Sequence, residues 1–166
     1  MKGPSNHMRR LCAGFTLVEL LVVISIMTII MVIAIPNFLQ WRKSIRSKEV
    51  AWDIVGMGRY GRQLAANNNL EFRLEFDIDG RRYRLTRGNV PFGSTVWVEE
   101  KPWENLNQFV NWSTGSACNG TADVNIEFNP NGTADAAVDT ICISDLDNNL
   151  RYTLIVSLTV GMIRIE

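Results

Sequence analysis

From Leu17 to Ile35 the chain runs for nineteen residues with only Glu19, Ser25 and Thr28 interrupting apolar side chains. A helix of that length, rising 1.5 Å per residue, covers about 28 Å, close to the roughly 30 Å hydrocarbon core of a bilayer. The segment therefore predicts one transmembrane helix. Glu19 sits near its start, although an acidic group at mid-span costs roughly 2.5 to 3.5 kcal/mol to insert. A charge kept at that cost points to a function, most simply pairing with a charged partner. Snorkelling of the carboxylate to the interface near the helix end is the structural alternative.

Residues 1–14 hold Lys2, Arg9 and Arg10 and no acid. This is like the n-region of a secretory signal, but the apolar run is too long for a typical h-region and no Ala-x-Ala-like site follows. Arg9-Arg10 and Leu11-Cys12 lack the surroundings of a twin-arginine or a lipoprotein signal. The positive-inside rule places the leader in the cytoplasm, yet Arg42, Lys43, Arg46 and Lys48 flank the other end, so charge alone leaves the orientation open.

A short basic leader ending in Gly14, then Phe15-Thr16-Leu17-Val18-Glu19-Leu20-Leu21, then an apolar helix containing Pro36, resembles a type IV prepilin with a class III leader. The resemblance covers residues 1 to about 40. It implies cleavage after Gly14 by a prepilin peptidase, which also N-methylates Phe15, and it assigns Glu19 to assembly and Pro36 to a helix kink. It further implies an inner-membrane protein with a cytoplasmic N-terminus and a periplasmic head. The implied partners are other pilins or pseudopilins in a filament, an inner-membrane assembly platform and membrane lipid. No cofactor and no metal is implied.

Cleavage would leave fourteen Lys and Arg against seventeen Asp and Glu, a side-chain net charge of −3, and would remove the only histidine, His7. Without an imidazole there is no Ser-His-Asp triad, Cys-His pair or His metal site, which argues against an enzyme. Cys12 departs too. Cys118 and Cys142 in an exported domain read as one disulfide, with two buried free thiols as the alternative.

The expected domains are a leader over 1–14, a transmembrane helix over 15–39, its amphipathic continuation over 40–66 and a β-rich head over 67–166. The fold class is α+β, a long helix on an all-antiparallel head. Phe38, Trp41, Ile45, Trp52 and Val55 follow helical spacing and predict the stripe that packs on the head. Gly56, Gly58 and Gly61 spell G-x-G-x-x-G inside that helical pattern, where close packing or a helix break explains them better than a dinucleotide. Asn67-Asn68-Asn69 marks the helix end.

From Leu70 the period becomes two. Phe72, Leu74, Phe76 and Ile78 alternate with charged residues, Asp79-Gly80 makes a turn, and Tyr83 and Leu85 follow. This hairpin pairs Phe76 with Tyr83 and Leu74 with Leu85 on the core face, and Asp77 with Arg82 and Glu75 with Arg84 on the other. Arg81, Arg82, Arg84 and Arg87 thus read as a solvated ion-paired face rather than a nucleic-acid patch. Further strands are expected at 95–98, 124–128, 140–143, 152–156 and 162–165. Residues 99–123, with Trp103, Trp112 and Cys118, form a long candidate functional loop, either in contact with neighbours or cargo or tucked down by Cys118. Asn111, Asn119 and Asn131 read as polar turns despite their sequons. Asp145-Leu146-Asp147-Asn148-Asn149 is like half a calcium loop but lacks its glycine and closing glutamate, so a turn explains it.

The late turn Asn129-Pro130-Asn131-Gly132 and the closing Val160-Gly161-Met162-Ile163-Arg164-Ile165 resemble the FimT/GspH group of minor pilins and type II secretion pseudopilins. That resemblance implies a structural subunit that initiates, primes or caps a type IV pilus or a type II secretion pseudopilus. Some members bind DNA through Gly-Arg-x-Arg. Here only Arg164 matches, and the net negative charge supplies little attraction for phosphate, so nucleic acid is disfavoured as a partner.

Overall fold

The computed structural model describes residues 15–166; the side chains at 36, 37, 39, 40 and 43 lie outside the description. The chain divides into two compact units, one ending at Leu39 and the other Gln40–Glu166. One helix, α1, spans Leu17–Asn68. It stops at the asparagine run, where Asn69 takes a left-handed φ of 52° and Asn68 Nδ2 donates to the Leu64 carbonyl at 2.9 Å. A left-handed residue after the last turn, with a side chain on an orphan carbonyl, is how a helix end is closed.

In the second unit nine strands follow: β1 Phe72–Asp77, β2 Arg82–Gly88, β3 Trp97–Asn105, β4 Val110–Thr114, β5 Val124–Phe128, β6 Ala134–Ala136, β7 Thr140–Asp145, β8 Leu150–Ser157 and β9 Met162–Ile165. They form a five-stranded sheet, order β3-β2-β1-β5-β6, and a four-stranded sheet, order β4-β7-β8-β9. Every pairing is antiparallel. The β1–β2 hairpin has the expected register, Phe76 opposite Tyr83 and Leu74 opposite Leu85. Its turn is closed by Arg81 N–H donating to the Ile78 carbonyl at 3.3 Å.

The helix buries Val50, Ala51, Ile54, Val55, Met57 and Ala65 against the inner faces of both sheets, including Phe72, Leu74, Phe128, Ile143 and Leu154. Gly58 and Gly61 lie in the contact. A Cβ on Gly58 would come within 2.5 Å of Ile163, and one on Gly61 within 2.9 Å of Leu85. The glycines therefore serve close approach, and the helix runs through them unbroken.

Two expectations are corrected here. Of the anticipated packing stripe only Val55 is buried, while Phe38, Trp41 and Trp52 are exposed. Within the second unit the reason is volume: where α1 comes this near the sheets it places glycine, alanine, valine and isoleucine in the contact, and Trp52 turns away. Residues 99–123 are also not one long loop. β3 runs on to Asn105, and β4 lies within the stretch, with Thr114 bridged to Gly120. β3 escaped the period-two reading because it is an edge strand, open to water on most positions and carrying Pro102, which an edge tolerates. The short β6 was not anticipated either.

Candidate processing and assembly site

Gly14 and the rest of the leader lie outside the described residues. Phe15, the first described residue, is 75 % exposed. Thr16 then caps the helix: its Oγ1 accepts from the Glu19 N–H at 3.2 Å, and its carbonyl accepts from Leu20 N–H at 3.2 Å. A Thr three residues before a Glu is the sequence pattern of a capping box, and it places the Glu19 carboxylate in the first turn, where the helix dipole favours an anion. That local signal was legible in Thr16-Leu17-Val18-Glu19, although only the charge was read from it.

Leu17–Ile35 has a mean hydropathy of 2.9 and is exposed throughout, so by length and composition it can cross a membrane. Its neutral polar groups are satisfied within the helix. Ser25 Oγ donates to the Leu21 carbonyl at 2.8 Å, and Thr28 Oγ1 to the Ile24 carbonyl at 2.7 Å. Such back-bonding leaves no hydroxyl donor bare in hydrocarbon. Glu19 is then the one ionisable side chain between Leu17 and Ile35. The helix backbone continues through Pro36, whose side chain lies outside the description.

The remaining candidate positions are in the second unit and are held by their own surroundings. Cys118 and Cys142 are joined as a disulfide, with Cα atoms 5.6 Å apart. It ties the segment after β4 to β7 and lines a cleft of about 360 Å³ with Trp112, Ser113 and Ser144. Trp112 itself is buried, its Nε1 donating to the Ile78 carbonyl at 3.1 Å and its ring edge-on to Phe76 and Tyr83. It serves the core.

Of the four arginines expected on that face, two are ion-paired as the hairpin register implied, and Arg81 instead donates to the Val110 carbonyl. Arg82 meets Asp77 and Arg84 meets Glu75, each at 2.7 Å, and Arg73 meets Glu127 at 2.6 Å. A feature missed from the sequence is that tryptophans cover these cations. Arg73 lies 3.6 Å from the centroid of Trp97, and Arg82 and Arg84 lie 4.6 and 4.4 Å from that of Trp103. A guanidinium stacked on an indole and bonded to a carboxylate is already served on both counts. Phosphate would have to displace both. Arg164 is exposed on β9 opposite Ile155, and Gly161 before it adopts a φ of +54° against the Gly132 carbonyl, where a Cβ would fall at 2.6 Å. Gly161 thus has a packing reason to be glycine.

Asp145 answers the calcium question. It is fully buried, and Oδ1 accepts from the N–H groups of Asp147 and Asn149 at 3.0 and 2.9 Å while Oδ2 takes Arg151 at 2.7 Å. Burial pulls its pKa upward, but the bonds from Arg151 and Asn149 outweigh that and hold it at about 2. The carboxylate is spent on its own turn.

A family model described as the prokaryotic N-terminal methylation motif matches residues 9–35, an interval that takes in Gly14, Phe15 and Glu19. No curated protein matches the chain. Among solved structures, the minor pseudopilin EpsH from the Type 2 Secretion System of Vibrio cholerae superposes with a TM-score of 0.53 at 12 % identity, over 72 % of this chain and 94 % of that one. At that identity the likeness concerns the fold.

Proposed function

We propose, for a chain that is type IV pilin-like in its methylation motif and its fold, the role of a minor pilin or pseudopilin, a structural subunit rather than an enzyme. Cleavage after Gly14 by a prepilin peptidase would free the α-amine of Phe15, the methylation site. Glu19 would then pair with that amine on a neighbouring subunit while the head stays periplasmic and the helix sits in the inner membrane. In low dielectric such a pair is strong only when both charges find each other, because each alone bears its desolvation cost. The pairing therefore selects one axial register, and a subunit of this kind helps to initiate, prime or cap a filament.

The observation that carries this reading is the methylation motif coinciding with a carboxylate in the first turn of an otherwise apolar span. Its test is Glu19→Ala in the full chain. Membrane insertion and leader cleavage are expected to persist while incorporation into the filament falls sharply; normal incorporation of the variant would sink the proposal. DNA uptake is not favoured, since Arg164 stands without the second arginine of the motif and the arginines at 73, 82 and 84 are already paired.

A further inference from the structure

β4 is an edge of the four-stranded sheet and pairs with β7 on one side only. Along an antiparallel strand, successive residues turn their N–H and C=O to alternate sides. Thr114 exchanges both bonds with Gly120, at 3.0 and 2.9 Å, while Gly115 N–H donates to the Thr140 carbonyl beside it at 2.9 Å. Thr114, Trp112 and Val110 therefore face away from β7. Val110 is closed as well, its N–H donating to the Asn107 carbonyl at 3.0 Å and its carbonyl accepting from Arg81. Trp112 lies between these closures, and among the described residues its outward N–H and C=O have no hydrogen-bond partner. The cleft of about 360 Å³ borders this position, with Trp112, Ser113, Cys118 and Thr121 in its lining.

An open edge invites a second strand, and charges or proline on the strand are the usual defence. β3, an edge of the other sheet, carries Glu99, Glu100, Lys101, Pro102 and Glu104, whereas Val110–Thr114 has no charge and no proline. What covers β4 is the loop 115–120. Gly115 and Cys118 in it take left-handed φ values of 81° and 52°, and the second is costly for a residue with a Cβ. Beyond Gly115 the loop is attached to β4 and β7 by the Thr114–Gly120 pair, by Ser113 Oγ donating to the Cys118 carbonyl at 2.8 Å, and by the disulfide. We propose that the disulfide is the lock on this edge: with Cys118 and Cys142 as thiols the loop releases Thr114, and β4 pairs with β4 of a second copy of this chain. The inference goes beyond the pilin-like reading and concerns the head by itself. Reduction draws two electrons and two protons from a dithiol, which becomes its own disulfide, and turns the Cys118–Cys142 bond into two thiols. Cys142 is buried and Cys118 half-buried, so the reductant attacks at Cys118. The released edge is self-complementary. Two copies meet antiparallel about a two-fold axis, Trp112 of each exchanging bonds with Thr114 of the other, and Ser113 faces Ser113 of the second copy.

The test uses the full, processed chain in detergent with C118S/C142S, which leaves no other cysteine, and adds S113C. Directly opposed Cβ atoms lie about 4.5–5.5 Å apart, so mild oxidation should link two copies through position 113. Position 111 of one copy lies about 13 Å from position 111 of the other, so N111C in place of S113C should give about tenfold less linked dimer. Adding T114P to the S113C variant deletes an outward N–H that the ladder with β7 does not use, and should lower the yield about tenfold. In the unsubstituted chain, dithiothreitol should speed amide exchange at Thr114 and Gly120 about tenfold while the β1–β2 amides stay protected. Equal linkage at 111 and 113, no linkage at 113 in a folded head, or unchanged exchange at Thr114 on reduction would overturn the inference. So would loss of β1–β2 protection on reduction, since no folded chain with an open edge would then exist.

Discussion

The two ends of α1 belong to one continuous helix and differ in composition and in burial. Between Leu17 and Ile35 every side chain is exposed, and among the described residues the Ser25 and Thr28 hydroxyls bond within the helix. Between Val50 and Ala65 one face is sealed against two sheets, and glycines at 58 and 61 set how near they come. The first stretch has the length and composition to be covered by lipid or by a neighbouring helix. The second is finished by the chain itself. Stability of the head should therefore answer to the second stretch and ignore the first.

The strongest way to break that contrast is to open the core under the helix. Phe128, fully buried and in van der Waals reach of a Cβ at Gly61, should cost about 3–5 kcal/mol on truncation to alanine, read as a lower denaturation midpoint of the detergent-solubilised chain. Next comes the crosslink. Cys118 and Cys142 are 24 residues apart, so the double serine variant should lose about 3 kcal/mol, with a matching loss on reduction of the wild type.

Asp145 gives a smaller and pH-dependent effect. Its pKa is about 2 in the folded chain against an ordinary 3.8, so its contribution is complete above about pH 4 and is lost as pH falls toward 2. The difference corresponds to about 2 kcal/mol. Asp145→Asn should remove that amount at neutral pH and flatten the acid limb of the unfolding curve. Last, Ile29→Ala in the exposed apolar stretch should move the head's midpoint by less than about 0.5 kcal/mol. A large shift there would mean that the two stretches are energetically coupled.

Much of the fold was legible locally. The change from period 3.6 to period two after the asparagine run located the end of α1 and the β1–β2 hairpin, and the hairpin's register then followed with its ion pairs. β5 and β9 lay where alternation put them, whereas β7 and β8 extend two or three residues beyond their expected ends. β3 and β4 were hidden because an edge strand needs no alternation and because Trp112 looks the same in a sequence whether it is buried or exposed. The stripe on α1 was misread for a related reason: spacing identifies apolar sides of a helix, but α1 has two, and size rather than hydropathy decided which one meets the sheets.

The assembly signal was legible to the extent that it is contiguous. Phe15, Thr16 and Glu19 lie within one turn, so cap, carboxylate and apolar span could be read from neighbouring letters. What only the tertiary structure decided are matters of distance across the chain. Trp97 and Trp103 lie over arginines more than eighteen residues away, Asp145 is consumed by Arg151, and Trp52 is left facing outward. Local order follows from backbone hydrogen bonds and side-chain period, which a linear text carries. The choice of face and partner follows from volume and charge summed over segments that meet only when the chain has folded.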